Sequence, residues 1–171
     1  ARLRAVMLMT LSNENNALVL TTGNKSELAM GYCTQYGDMV GALAPIGDLY
    51  KTKVYDLARC MNKKWINCIP ENCITKAPSA ELKPNQKDSD SLPVYSELDP
   101  LLEAYIEKGL SIKSLEEKFS THISKKYSIR KILSQIEKTE YKRRQASPVL
   151  KVSAKAFGVG RRVPVSKVWG D

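Results

Sequence analysis

The spacing of apolar residues changes twice in the first part of the chain, and each spacing predicts a different element. In residues 2–13, apolar side chains recur on one face of a helix. Residues 17–22 form a short, continuous run of apolar and β-branched side chains, which is typical of a buried parallel strand. Gly23 and Asn24 interrupt that run, and residues 25–32 predict the next helix. A strand, a glycine turn and a helix in this order make half of an α/β unit.

A second apolar segment and a second helix follow in the same order. Residues 39–46 are mainly apolar and are closed by a Pro-Ile-Gly sequence. Residues 51–61 then predict a helix whose apolar stripe contains Val54 and Leu57. The pattern therefore assigns residues 1–75 to an α/β layer with a parallel sheet.

The pattern changes again after residue 75. Residues 76–93 are polar, contain three prolines and predict no regular structure, so we interpret them as a lid loop. Further helices are predicted at residues 98–108, 112–119 and 129–145, and a basic tail follows from residue 149 to residue 171. Residues 94–171 are therefore expected to form a helical portion of the same domain.

Composition places the chain among ordinary globular proteins. Hydrophobic residues make up 43% and charged residues 26% of it, and no apolar run approaches the ~18 residues that a membrane-spanning helix needs. The four cysteines are not spaced as CxxC pairs and there is one histidine, which argues against a zinc site. We expect free thiols in a reducing, cytoplasmic location and no membrane partner.

Charge is distributed unevenly along the chain. The net charge of +9 lies entirely in residues 101–171, because residues 1–100 carry equal numbers of acidic and basic side chains. A basic third on a neutral body indicates a polyanionic partner, which could be a nucleotide, a nucleic acid or an acidic protein surface.

The strand-to-helix turn at residues 21–24 is the first candidate for chemistry. Ligands of open α/β sheets bind beyond the carboxyl ends of the strands, and the next helix offers unpaired N–H groups to an anion. Glu27 stands three residues after Asn24, a spacing that fits a capping box. Its carboxylate could instead be a hard oxygen ligand for Mg²⁺ beside bound phosphates.

Three other clusters have both a structural and a functional interpretation. Lys51 and Lys53 lie in the first turn of a predicted helix, where the helix dipole disfavours cations unless an anion such as phosphate binds; they could equally be solvated. Residues 32–38 hold two tyrosines and a Gly-Asp turn, and such tyrosines more often pack than stack on bases. The segment 140–145, which contains a cluster of three basic residues, ends a predicted helix, where cations are favoured without any ligand.

The order and the amino-acid sequences of these segments resemble those of the NAD⁺ synthetase family over nearly the whole chain. The stretches that carry the resemblance are residues 18–32 (LVLTTGNKSELAMGY), 34–38 (TQYGD), 45–55 (PIGDLYKTKVY), parts of 78–99, 140–145 (EYKRRQ) and 157–164 (FGVGRRVP). The last two are similar to the glutamine-dependent branch of the family and not to the short ammonia-dependent branch.

The resemblance implies a fold, a reaction and partners. The fold is an adenine-nucleotide α-hydrolase-like (Rossmann-like) α/β layer with a parallel sheet, incomplete here, in a chain that forms homo-oligomers, usually dimers. The reaction converts nicotinic acid adenine dinucleotide into NAD⁺: ATP with Mg²⁺ adenylates the nicotinate carboxylate, and ammonia then displaces AMP. In the glutamine-dependent branch, a glutaminase domain supplies the ammonia. No nucleic-acid partner is expected.

Carried over position by position, the resemblance also implies site residues. ATP contacts are expected at Thr22, Lys51 and Ser79, and the Mg²⁺ ligand is expected at Glu27. Lys51 and Glu27 are therefore the residues expected to act in catalysis.

The dinucleotide substrate is expected to contact a second group of residues, namely Tyr32, Gln35, Asp38 and Lys142. The chain departs from the short branch of the family at three substrate positions, with Gln35 in place of lysine, Ala42 in place of aspartate and Tyr141 in place of histidine. The substrate contacts are thus expected to differ in detail from those of the short branch.

Two parts of the family do not occur within the 171 residues. The pyrophosphate loop Ser-Gly-Gly-x-Asp-Ser is absent, and none of the cysteines has the setting of a glutaminase nucleophile. We therefore interpret the chain as the C-terminal part of a synthetase domain and expect it to be inactive by itself.

A nucleic-acid-binding module is the alternative hypothesis. Residues 111–145 could form a helix-turn-helix, with the basic tail following the phosphates. The neutral first half and the Thr-Thr-Gly-Asn-Lys-Ser-Glu turn have no role in such a module, so the synthetase hypothesis is favoured.

Overall fold

The computed structural model describes residues 1–66 and 68–166, and helices dominate this part of the chain. The α-helices are α1 (Arg2–Glu14), α2 (Lys25–Met30), α3 (Lys51–Trp65), α4 (Glu71–Thr75), α5 (Tyr95–Ile106), α6 (Ile112–Phe119), α7 (Ile129–Lys138) and α8 (Glu140–Arg143). Two short parallel strands, β1 (Ala156–Phe157) and β2 (Gly160–Arg161), pair in the tail. None of the described helices is long and apolar enough to cross a membrane. The end of the predicted basic tail, residues 167–171, lies outside the described residues.

The predicted parallel layer consists of three extended segments, around Leu20, Leu43 and Val149. Isolated bridges, not a regular sheet, join them. Leu20 forms a parallel bridge with Leu43, and Ala44 forms another with Val149. The expectation of a buried strand at residues 17–22 is wrong in two respects, because the described segment forms an isolated bridge instead of a strand and Leu20 is 57% exposed. Among the described residues this segment pairs only with the segment around Leu43, whereas a parallel strand is buried when helices cover both faces of its sheet.

The hydrophobic core lies in the helical C-terminal portion. Helix α6 packs against α5 and α7, and both α5 and α7 pack against α2, because these helices present apolar stripes at helical spacing. The most deeply buried apolar side chains are Leu98, Leu101, Leu102, Ile106, Leu115, Leu133 and Ile136. Helix α1 buries only Ala5, and its large apolar side chains are exposed.

The single helix predicted over residues 129–145 is broken at Thr139, which separates α7 from α8. The Thr139 hydroxyl donates to the carbonyl of Gln135 (2.8 Å), and the buried Arg143 side chain donates to the carbonyl of Ile136 and to the Thr139 hydroxyl. Side chains that bond to backbone carbonyls compete with the regular helical bonds. This competition explains why the helix ends here, which spacing alone did not reveal.

The same region does not form the compact motif of the nucleic-acid hypothesis. Residues 120–128 separate α6 from α7, whereas a helix-turn-helix joins its helices by a turn of about 3–4 residues. In addition, α7 buries Ile132, Leu133 and Ile136 in the core. The geometry therefore gives the alternative no support.

Residues 76–93 are largely irregular, as predicted, apart from a 3₁₀ turn at Asp88–Asp90. The Asp88 N–H donates to the Pro78 carbonyl (2.9 Å), which closes the base of the loop. The Tyr95 hydroxyl donates to the buried Asp88 carboxylate (2.8 Å) and so fastens the loop to the first turn of α5. The intervening residues 81–85 are exposed. A lid function for this loop remains a prediction.

Candidate functional site

Reciprocal hydrogen bonds between Asn24 and Glu27 organise the turn before α2. The Glu27 N–H donates to the Asn24 side chain (3.0 Å), and the Asn24 N–H donates to Glu27 Oε2 (3.2 Å). This is the capping box predicted from the three-residue spacing. It uses one carboxylate oxygen of Glu27, so the other oxygen can meet a second partner.

The second oxygen of Glu27 meets Lys51, the first residue of α3. Glu27 Oε1 and Lys51 Nζ are 3.2 Å apart, and the two side chains are 21% and 19% exposed. The ammonium group also lies 5.9 Å and 5.7 Å from the ring centroids of Tyr55 and Tyr95, whose faces attract cations. A carboxylate therefore supplies the anion that a lysine needs near a helix N-terminus, and a phosphate is not required to explain its position.

An open cavity of about 540 Å³ adjoins this ion pair, a size common for pockets that hold small molecules or cofactors. Seven of the eight predicted site residues line it, namely Thr22, Glu27, Tyr32, Asp38, Lys51, Ser79 and Lys142. They belong to separate segments of the chain, which the fold brings together. The eighth, Gln35, is not part of the cavity wall, and its backbone carbonyl accepts a hydrogen bond from Arg2 Nε (3.1 Å).

Lys142 and Asp38 are held in place by the backbone of the loop after α2. Lys142 Nζ donates to the carbonyls of Gly31 (2.7 Å) and Cys33 (2.8 Å), as a cation does at the C-terminal end of a helix. Asp38 Oδ1 accepts the Thr34 N–H (2.8 Å). An ammonium group has three donors, so one N–H of Lys142 is left for a ligand.

Burial raises the pKa of the Cys33 thiol to about 11, although the nearby Lys142 ammonium acts in the opposite direction. The thiol is therefore protonated at neutral pH and is a poor nucleophile there. The other cysteines, Cys60, Cys68 and Cys73, are exposed, and all four are free thiols, as predicted.

A buried lysine network stabilises the same turn from inside the fold. Lys25, the first residue of α2, is fully buried, and its Nζ contacts Asp48 (2.9 Å) and Glu107 (2.8 Å). It also donates to the Ser153 hydroxyl (2.6 Å) and the Lys155 carbonyl (2.8 Å). Burial by itself would raise the pKa of Asp48, but hydrogen bonds from Lys25 and Ser153 lower it overall. The network connects the tail to α2, and it was not predicted from the sequence.

Helix α1 also contributes to the cavity, which the sequence pattern did not predict. Arg4, Ala5 and Leu8 lie in the cavity wall. Arg4 brings a guanidinium group to the cavity, which suits an anionic ligand. The available signal was the basic pair Arg2 and Arg4, which lies in the segment predicted as a helix.

The described residues contain no group of three or more His, Cys, Asp or Glu side chains that could hold a metal ion by themselves. Mg²⁺ usually binds one or two protein carboxylates and completes its shell with water and substrate phosphates. The partly exposed Glu27 carboxylate fits an ion that arrives with a nucleotide. It does not fit a resident metal held by protein ligands alone.

Comparison by sequence identifies similar proteins. A sequence model of the family described as NAD synthase matches residues 1–146. The glutamine-dependent NAD(+) synthetase of Acinetobacter baylyi is 47% identical over 171 residues, which cover 99% of this chain and 31% of that protein. The chain spans less than a third of the length of the curated relatives it matches.

Comparison with solved structures also finds NAD synthetases. A glutamine-dependent NAD(+) synthetase from Cytophaga hutchinsonii aligns with a TM-score of 0.73 at 23% identity, over 96% of this chain and 27% of that chain; at this identity the likeness establishes the fold alone. The NH3-dependent NAD synthetase from Campylobacter jejuni, solved in complex with the nitrate ion, aligns with a TM-score of 0.55 at 30% identity, over 83% of this chain and 49% of that chain. The predicted adenine-nucleotide α-hydrolase-like fold is confirmed.

Proposed function

Because this chain belongs to the NAD synthase family, we propose that it forms part of the active site of a glutamine-dependent NAD⁺ synthetase, a carbon–nitrogen ligase. The proposed reaction is the ATP-dependent amidation of nicotinic acid adenine dinucleotide. The observation that carries the proposal is the cavity where Thr22, Glu27, Lys51 and Ser79 meet from separate segments. It combines a cation for phosphates, a carboxylate for Mg²⁺ and hydroxyl groups for hydrogen bonds.

The proposed reaction begins with activation, because a free carboxylate is a poor electrophile. One nicotinate carboxylate oxygen attacks the α-phosphorus of ATP, which forms an acyl-adenylate and releases pyrophosphate. Ammonia then attacks the carbonyl carbon, and AMP departs with the electron pair of the carbon–oxygen bond. One oxygen of the original carboxylate therefore ends in AMP. The protein must stabilise the negative charge that develops on the phosphates.

We assign the phosphate-binding cation to Lys51. Among the described residues, its ammonium group bonds one carboxylate, that of Glu27, and it is partly exposed at the cavity, so N–H groups are left for a ligand. We assign hydroxyl contacts with the nucleotide to Thr22 and Ser79. On nucleotide binding, we expect Lys51 to exchange Glu27 for phosphate oxygens. Glu27 would then hold Mg²⁺, which when bound neutralises phosphate charge.

We assign the dinucleotide substrate to the part of the cavity formed by the loop after α2. Tyr32 offers an aromatic face, and Asp38 and Lys142 each retain hydrogen-bonding capacity after their bonds to the backbone. Gln35 would contact this substrate only if its loop rearranged, because its side chain is not in the cavity wall.

The remaining expectations concern partners. Ammonia would come from a glutaminase domain, as the names of the glutamine-dependent relatives suggest. A lid at residues 76–93, a homo-oligomer and a cytoplasmic location remain predictions.

Isotope transfer tests the proposal directly. The experiment uses the full protein that the gene encodes, which we call the gene-encoded protein. It would be given ATP, Mg²⁺, glutamine and nicotinic acid adenine dinucleotide whose carboxylate is labelled with oxygen-18. We expect equal amounts of NAD⁺ and AMP, with one labelled oxygen in AMP. Label in inorganic phosphate with ADP as the other product would refute adenylation. Salt-dependent binding of duplex DNA without turnover would favour the nucleic-acid alternative.

A further inference from the structure

The N-terminus of α3, where Lys51 lies, is capped by side chains from other helices. The side chain of its own N-cap residue, Tyr50, accepts no hydrogen bond from the first turn of α3. Instead, the Lys51 N–H donates to Ser26 Oγ (2.9 Å), and the Thr52 N–H donates to Asp99 Oδ2 (2.8 Å). The Ser26 hydroxyl in turn donates to Asp99 Oδ1 (2.6 Å). Ser26 and Asp99 therefore satisfy two of the N–H groups that have no partner within the helix.

These bonds, which we call the Asp99 relay, are shielded from solvent. Ser26 is fully buried, and Asp99 is 4% exposed. Both carboxylate oxygens accept hydrogen bonds, and the Ser26 oxygen both donates and accepts. A buried polar network with its members satisfied favours a single arrangement, because any other arrangement leaves a polar group unpaired.

The three helices joined by the relay also surround the Lys51 ammonium group. Glu27 follows Ser26 on α2 and forms the ion pair with Lys51. Tyr95 lies about one turn before Asp99 on α5, and its ring faces the Lys51 ammonium group at 5.7 Å. A shift of α3 relative to α2 would therefore change the contact of Lys51 with Glu27, and a shift relative to α5 would change its contact with Tyr95.

The charge of the relay also favours this placement of Lys51. The positive end of the α3 dipole disfavours a lysine at its first position, and a carboxylate bound to the terminal N–H groups offsets that effect. Asp99 provides this carboxylate without lying in the cavity wall, and Ser26 is likewise outside it. Neither residue is therefore placed to touch a nucleotide.

We infer that Asp99, acting through Ser26, is a positioning residue that fixes the direction in which Lys51 enters the cavity. The inference rests on the function proposed above, in which Lys51 binds the phosphates of ATP. It adds a requirement that the ion pair alone does not impose: the start of α3 must be held by the relay for Lys51 to act.

A double-mutant cycle in the gene-encoded protein tests this inference. The variants are Ser26→Ala, Lys51→Met and the double variant, and kcat and KM for ATP are measured for each. Ser26→Ala removes the acceptor of the Lys51 N–H and one donor to Asp99. We expect it to lower kcat on the order of tenfold to a hundredfold, as for misplaced catalytic groups. In the Lys51→Met background, the same substitution should change kcat less than about twofold, because the group it positions is gone.

The outcomes of the cycle separate the inference from the proposed function. Equal fold losses for Ser26→Ala in both backgrounds would overturn the inference, because the relay would then act independently of Lys51. An unchanged kcat for Lys51→Met would instead overturn the assignment of Lys51 in the proposed function.

A matched substitution controls for general loss of stability. Ser111 caps α6 with its hydroxyl, which accepts the Ser114 N–H (3.3 Å), and it is not in the cavity wall. We expect Ser111→Ala to lower the melting temperature without a change in kcat. If Ser26→Ala lowers the melting temperature no more than Ser111→Ala does, its loss of kcat cannot be assigned to unfolding. A loss of kcat in Ser111→Ala equal to that in Ser26→Ala would count against a positioning role.

Discussion

Lys25 and Lys51 each begin a helix, yet the structure gives them opposite surroundings. Lys25 is fully buried and contacts two carboxylates, a hydroxyl and a backbone carbonyl. Lys51 is partly exposed at the cavity and is paired with one carboxylate, that of Glu27. The helix dipole disfavours a cation at both positions alike. The difference between the two lysines therefore lies in the number of oxygens around each ammonium group.

The comparison distinguishes a lysine that supports the fold from one that can bind a ligand. Four oxygens surround Lys25, which is more than its three N–H groups can fully satisfy, so a ligand could bind only by displacing part of the fold. Lys51 keeps donors and solvent access on the cavity side. Substitutions of Lys25 should therefore lower stability, and substitutions of Lys51 should lower activity.

The largest expected effect is that of Lys25→Met on stability. The substitution leaves the buried Asp48 carboxylate without its cation, and breaking a buried ion pair in this way typically costs about 3–5 kcal/mol. Amide hydrogen exchange at residues 150–157 and in α2 measures the free energy of local opening. Lys108→Met is the control, because Lys108 forms a solvent-screened, exposed pair with Glu103 at 2.8 Å, and its loss should change the free energy of opening far less. Equal effects of the two substitutions would contradict the structural role of Lys25.

The next largest expected effect is that of Lys51→Met on turnover. Loss of one charged contact at a reacting centre typically costs about 2–4 kcal/mol of transition-state stabilisation. The stability of the ligand-free protein should change little, because the loss of the Glu27 pair and the relief of the dipole repulsion oppose each other. Steady-state kinetics and thermal melts of the same variant measure both quantities. Lys53→Met is the control, since Lys53 lies on the same turn but pairs with the exposed Asp56. Similar kinetics for both variants would remove Lys51 from the proposed site.

Glu27→Gln should distinguish the capping role of this side chain from its proposed role in binding Mg²⁺. Glutamine can still accept the Asn24 N–H, so the loss of stability should stay below about 1 kcal/mol. The negative charge facing Lys51 and the proposed Mg²⁺ site is lost, so turnover should fall on the order of a hundredfold. Glu27→Ala would remove the cap as well and should melt at a lower temperature. Normal turnover in Glu27→Gln would leave Glu27 as a helix cap only.

The smallest expected effect is a difference between the titrations of the two buried aspartates beside these lysines. Hydrogen bonds hold the pKa of Asp48 below its ordinary value despite its burial, whereas burial raises the pKa of Asp99 despite its bonds from Ser26 and Thr52. Asp48 therefore stabilises the fold above its ordinary pKa and loses this contribution as pH falls through its lowered folded pKa. Asp99 contributes stability below its ordinary pKa, and this is lost as pH rises through its raised folded pKa.

Carbon-13 NMR of the two carboxyl groups measures this difference. We expect Asp48 to titrate below the ordinary aspartate value of about 3.9 and Asp99 above it. In Lys25→Met, the pKa of Asp48 should rise, and that of Asp99 should stay unchanged. Titration of both groups on the same side of the ordinary value would contradict the contrast between the two surroundings.

Parts of the fold and of the candidate site could be predicted from sequence because their signals are local. The capping box of Asn24 and Glu27 depends on a three-residue spacing, and the helix at Ile112–Phe119 depends on an apolar stripe. Family resemblance then identified residues on distant segments that do line one cavity. Gln35 shows the limit of such transfer, since its position in the motif does not bring it to the cavity wall.

The features that escaped prediction depend on contacts between distant segments. Lys25 bonds to residues 82 and 128 positions away, and no spacing in the sequence marks it as buried. The Asp99 relay joins helices in the same way, with Ser26 and Asp99 separated by 73 positions. At residues 17–22, the apolar pattern indicated burial, but burial also requires neighbours, and Leu20 is exposed. Pattern predicts local conformation, whereas burial and charge pairing depend on the assembled fold.

The most direct test of the proposed chemistry is the exchange of labelled pyrophosphate into ATP, measured without ammonia or glutamine. This exchange reports the reversible formation of the adenylate on the dinucleotide and nothing downstream of it. We predict that the gene-encoded protein catalyses the exchange only when nicotinic acid adenine dinucleotide is present. We also predict that Lys51→Met lowers the rate on the order of a hundredfold, whereas Lys53→Met leaves it unchanged. Exchange that does not need the dinucleotide, or that continues at full rate in Lys51→Met, would contradict the proposal that this cavity activates the nicotinate carboxylate.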